Sequence, residues 1–171
     1  MMWWGRMVVP KGWSGWGGIA LLVAVALGYT IPWEVMMIRA GVWGYGEGVV
    51  VGTLWGIPYG EAAFIVIQTV LTSVWANHIW SISNPAVSSV RGSWWRGAGA
   101  GTIVMLVGIA LFMAGEQWTY LGAILVWAGP VLAMQWAFGW RQILDAPRSV
   151  LGAVGVPTLY LWVADWMALS L

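Results

Sequence analysis

Five apolar runs, at about 17–33, 60–81, 98–115, 119–139 and 149–169, constrain this chain most, each close to the ~20 residues needed to cross a bilayer. Of the 171 residues, 61% are hydrophobic and 8% are charged. A soluble domain of that length cannot hide so much apolar surface, so lipid must act as solvent. The expected fold is an all-α integral membrane protein with five transmembrane helices. It is read as one membrane domain over residues 1–171, with residues 1–15 as an interfacial lead-in. Turn chemistry marks the breaks, at Asn84-Pro85, Gly92-Ser93, Gly115-Glu116 and Asp145-Ala146-Pro147. The link between the third and fourth runs is so short that those helices must be antiparallel neighbours.

Charge gives the expected orientation. With five spans and a cytoplasmic N-terminus, Arg6, Lys11, Arg91, Arg96, Arg141 and Arg148 fall inside, and only Arg39 falls outside. That bias obeys the positive-inside rule and places the C-terminus outside, in the cell (plasma) membrane. No small-residue cleavage pattern follows the first apolar run, so no removable leader is expected.

Other classes are excluded by what is missing. There is no Cys, which removes disulfides, iron–sulfur clusters and thiolate zinc sites, and the single His makes a metal site an unpromising reading. A net charge of +1 gives no footprint for nucleic acid. Phosphate-binding loops, dinucleotide fingerprints and nucleophile elbows do not occur.

Seventeen Trp residues are unusual. Trp3, Trp4, Trp13, Trp16, Trp94, Trp95, Trp118 and Trp140 flank the runs, where an indole sits well at headgroup level. Trp75, Trp127 and Trp162 fall inside runs and must pack against helices, lipid or a flat ligand. Gly97 and Gly101 form a small-xxx-small pair suited to close helix contact. Pro130 and Pro157 should kink the fourth and fifth helices.

The chemistry concentrates between Thr30 and Trp75. The first helix is expected to end at Pro32-Trp33 and to be followed by a polar crossing that holds Glu34, Arg39 and Glu47. Val49–Tyr59 is apolar but too short to span, and Gly52, Gly56 and Pro58 break any helix, so it reads as a re-entrant or interfacial piece. Glu34 and Glu61 thus stand at the mouths of two membrane helices on one side. Boundary carboxylates are costly and count as functional candidates. The plainer readings are a surface ion pair of Glu34 with Arg39 and dipole stabilisation of Glu61 at a helix start. Asp165 lies inside the last run and reads as a buried polar group. His78, between Trp75 and Trp80, reads either as an interfacial His or as a ligand to a chlorophyll-type pigment.

Three ordered segments carry a resemblance: Pro32-Trp33-Glu34, Arg39-Ala40-Gly41-Val42-Trp43 and Gly56-Ile57-Pro58-Tyr59-Gly60-Glu61. The stretch from Phe64 through Gln68-Thr69 and Leu71-Thr72 to Trp75 extends it. So do Trp118–Gly122, Pro130–Trp136 and Pro157–Asp165. In these the chain resembles the heterodimer-type lycopene cyclase domain, from about residue 20 onward. The resemblance implies a redox-neutral reaction that needs no cofactor. A proton adds to a terminal double bond of lycopene, the cation closes a six-membered ring, and a proton leaves. Such chemistry calls for a carboxylic acid held in an apolar site, with aromatic faces and carboxylates around the cation.

The chain departs from the pattern in its acidic residues and in extent: the second repeat of fused members, with its own Pro-x-Glu-Glu motif, and a helix before the first repeat are expected to be missing. Gly60 stands where the resemblance leads one to expect the first of two adjacent acids, and Glu34 stands where an Asp is expected. With one acid of the pair missing, the expectation is a degenerate, non-catalytic relative. It would be a structural or carotenoid-contacting subunit of a larger membrane complex, a photosynthetic one being the example considered. Trp33, Trp43, Trp55, Trp75, His78, Trp127 and Trp162 are the pigment-contact candidates, with bound carotenoid or chlorophyll-type pigment as the ligand. The alternative is a cyclase subunit that closes the end ring with a partner subunit, using Glu61 and Glu34.

Overall fold

A computed structural model describes residues 15–46, 48, 50–84 and 94–170. Its helices are α1 (Gly15–Arg39), α2 (Tyr59–Ser83), α3 (Trp94–Met113), α4 (Glu116–Asp145) and α5 (Pro147–Leu169). All five are long and apolar enough to cross a membrane. Two short strands, β1 (Thr53–Leu54) and β2 (Ile57–Pro58), lie between α1 and α2. The expected lead-in, with Arg6 and Lys11, lies outside the described residues except for Gly15, as do Glu47 and Arg91.

The chain divides into two compact units, Ala86–Pro147 and the combination of Met1–Pro85 with Arg148–Leu171. In the unit of α3 and α4, glycines set the spacing. A Cβ on Gly97 would collide with the backbone of Trp136 and Ala137, one on Gly101 with Leu132 and Ala133, and one on Gly129 with Met105. Gly108 faces Leu125 and Val126, and Gly122 faces Phe112. These pairings run in opposite directions along the two helices, so α3 and α4 are antiparallel and touch backbone to backbone. Without a hydrophobic drive between helices in lipid, this close packing is what holds them. Gly97 and Gly101 thus make the expected helix contact. Helices α4 and α5 run on through Pro130 and Pro157.

In the other unit, α1 packs against α2, and β2 touches both. The Trp75 indole N–H on α2 donates to the carbonyl of Gly152 on α5 at 2.9 Å. Helix α1 does not end at Pro32-Trp33 but continues to Arg39. The stop signal is Gly41, in the left-handed region at φ +69°. Its N–H reaches the Ile38 carbonyl at 3.1 Å, and the Val42 N–H reaches that of Met37 at 3.0 Å. This is a Schellman closure, which a glycine makes without a Cβ penalty. Apolar Val35–Ile38, with Met37 buried, gives the last turn and a half a reason to stay helical.

The stretch read as a re-entrant or interfacial piece contains a minimal antiparallel hairpin. Thr53 pairs with Pro58 and Leu54 with Ile57. The two turn residues, Trp55 and Gly56, have φ of 56° and 91°. Positive φ at both positions is the type I′ turn, whose twist matches that of paired strands. Tyr59 N–H then bonds the Gly52 carbonyl at 3.1 Å, which fixes the entry into α2.

Candidate functional site

The Gly41 closure has a consequence at Glu34. By reversing the chain after Arg39, it brings Trp43 back alongside α1. The Trp43 indole N–H donates to Glu34 Oε2 at 2.9 Å. Glu34 therefore sits on the last part of α1, not in a loop, and its carboxylate is half-buried. The expected ion pair with Arg39 does not form among the described residues, because that side chain is exposed and Glu34 is held by Trp43 instead.

Glu61 lies in the first turn of α2, where the unpaired N–H groups favour a carboxylate. It is half-buried and within electrostatic reach of Glu34. Between α1 and the hairpin stands Tyr45. Its hydroxyl is pushed up from 10.0 to about 12, first by burial and then by the negative charges of Glu61 and Glu34. Tyr45 thus keeps its proton at neutral pH, within electrostatic reach of both carboxylates. The two acids come from different helices, α1 and α2. Tyr45 was missed altogether. Its only sequence signal is position, two residues after the Trp that holds Glu34.

Within the unit of α1, α2 and α5, the pigment-contact candidates are spread over several places. Trp33 and Trp43 are half-buried near the two carboxylates in sequence and fold. Trp75 stands further along α2, its ring centroid 6.0 Å from that of His78, and His78 is exposed. Trp55 is 68% exposed at the hairpin tip, and Trp162 is also 68% exposed, on α5. Trp127 belongs to α4, in the other unit. Asp165 is not a buried polar group. It is exposed near the end of α5, flanked by the exposed Trp162 and Trp166.

No family model matches the chain, and no solved structure does. Curated proteins do match. The chain is 43% identical over 153 residues, 90% of its length, to a lycopene beta-cyclase of Halobacterium salinarum, and covers 64% of that protein. It is 35% identical over 169 residues to a bifunctional lycopene cyclase/phytoene synthase of Arthroderma gypseum, and 36% over 173 residues to one of Leptosphaeria maculans. It spans 28% of each of these two.

These relatives are named for catalysis and match about nine-tenths of the chain, which overturns the expectation of a non-catalytic, pigment-contacting subunit of a photosynthetic complex. That expectation rested on Gly60 in place of an acid beside Glu61 and on the second repeat expected to be missing. The second carboxylate near Glu61 is supplied by Glu34 of α1.

Proposed function

The chain is a lycopene-cyclase-type domain, and from that premise we propose that it takes part in the acid-driven closure of the end rings of lycopene. The grouping of Glu34, Glu61 and Tyr45, with Trp43 holding Glu34, is the observation that carries this reading. The reaction is an isomerisation. One proton adds to a terminal double bond, a neighbouring double bond attacks the cation to close a six-membered ring, and one proton leaves. Protons and electrons balance, so no cofactor is required.

Glu61 and Glu34 serve as the proton donor and acceptor, a division of labour open to two carboxyl groups at one site. Tyr45, neutral at physiological pH, stands within electrostatic reach of both acids. The rings of Trp33 and Trp43 offer their negative faces to the cation as it forms. A companion subunit that works with this chain in ring formation also belongs to the proposal, since the chain spans 64% of the lycopene beta-cyclase it resembles. So does a multi-pass position in the cell membrane with the N-terminus on the cytoplasmic side, on the strength of the arginine and lysine bias.

The test is expression in cells that accumulate lycopene, with and without a neighbouring cyclase-like subunit, followed by chromatography of the carotenoids. Ringed product is expected, and Glu61→Gln should lower its yield by at least ~100-fold, the usual weight of a positioned acid. Unringed lycopene in every combination, with the protein present in the membrane, would sink the proposal.

A further inference from the structure

The hairpin ahead of α2 carries an arrangement that ring closure does not require. Its second strand faces the protein, with Ile57 3% exposed and Pro58 buried. Its other surface faces outward and is apolar, made up of Val51, Leu54, Trp55 and Tyr59, all exposed. No charged residue occurs between Val50 and Gly60. Trp55 occupies the first turn position at φ 56°, a conformation that L side chains rarely adopt and that Gly or Asn usually supplies. The turn alone would be better served by one of those residues. The chain keeps an exposed indole at the hairpin tip instead.

What covers this surface follows from where the hairpin is attached. Pro58 leads directly into Tyr59, the first residue of a membrane-spanning helix, with no linker between them. The tip therefore lies within a few residues of the bilayer surface. Water would be a poor neighbour for that many apolar side chains. The hydrocarbon interior is excluded too, because a two-stranded hairpin leaves strand edges unpaired. The remaining layer is the boundary between headgroups and acyl chains, where Trp and Tyr are favoured.

We propose that the Thr53–Pro58 hairpin is a membrane-surface anchor. In this role Val51, Leu54, Trp55 and Tyr59 insert shallowly into the lipid and hold the N-terminal end of α2, and with it Glu61, at a fixed depth.

The native chain has no Cys, so Trp55→Cys and Val51→Cys each create a single labelling site. Each variant, labelled with an environment-sensitive fluorophore, is reconstituted in phosphatidylcholine vesicles carrying a nitroxide at a shallow or a deep acyl position, and separately exposed to aqueous iodide. Cys at 55 retains the backbone demand of Trp, so it adds no strain, and Val51→Cys provides a second site should the first variant fail to fold. Severalfold stronger quenching by the shallow nitroxide than by iodide is expected at both positions. Iodide quenching equal to that of free dye would overturn the proposal, as would protection from both quenchers or stronger quenching by the deep nitroxide. These outcomes do not depend on ring formation, so they stand apart from the carotenoid assay.

Discussion

Trp43 holds Glu34 through a single hydrogen bond of 2.9 Å between indole nitrogen and Oε2. The donor reaches that oxygen only because Gly41 turns the chain back on α1. Glu34 has thereby lost the freedom that a carboxylate at a helix end normally has, and its remaining lone pairs are aimed by the fold.

Replacing Trp43 with Phe keeps an aromatic face and removes the donor. A hydrogen bond to a charged group contributes about 1.5–3 kcal/mol, so loss of its orienting effect should lower ringed product by roughly tenfold, the factor that corresponds to 1.4 kcal/mol. Protein level and elution in mild detergent should not change. Full activity in Trp43→Phe would mean that Glu34 is oriented by something else.

Tyr45 gives a spectroscopic signature. The chain has five Tyr, and subtracting the titration of Tyr45→Phe from that of the native protein isolates one of them. The tyrosinate band assigned to it should emerge near pH 12, above the ordinary 10.0. Glu61→Gln should move it back toward the ordinary value. A raised pKa means that the folded chain holds this proton more tightly. Any stability linked to it is complete below about pH 10 and is lost as pH rises toward 12. A midpoint at the ordinary value would place Tyr45 away from both carboxylates.

The α3–α4 contact can be probed with two glycines two residues apart. Gly101→Ala puts a methyl into the backbone of Leu132 and Ala133, which must separate. A loss of about 1–3 kcal/mol is expected, the range for overpacking. Gly99 has nothing within 4 Å of the same added atom, so Gly99→Ala should be neutral or slightly stabilising. Thermal unfolding in detergent compares the two, and equal melting temperatures would refute the packing.

Trp55 tests backbone strain. Trp55→Gly and Trp55→Ala both remove the indole, but only Gly relaxes at φ 56°. The Gly variant should be the more stable of the two by about 1 kcal/mol. An Ala variant of equal or greater stability would argue against the type I′ turn.

The five spans were legible because apolar length is a coarse signal that no local detail overturns, and each run lies within a helix apart from a residue or two at the end of the third. The end of α1 was misread because Pro32 looks like a stop, whereas the chain's real stop is the positive-φ glycine nine residues later. The hairpin was hidden for a related reason, since Trp at a I′ position defeats any rule that looks for Asn-Gly. At the site, Glu34 and Glu61 could be named from the sequence as boundary carboxylates. Their common side followed from the order of the spans, but their electrostatic contact depends on how α1 and α2 pack. The roles of Trp43 and Tyr45 required the path of the backbone after Gly41.

The glycine seam between α3 and α4 also limits where a long, thin hydrocarbon can go. Carbon atoms in contact need about 3.5–4 Å between centres, yet at Gly97, Gly101, Gly108, Gly122 and Gly129 not even one additional methyl can be admitted without displacing the facing helix. At these five positions the two helices leave no slot between their backbones, so a chain of that width would have to pass along another face.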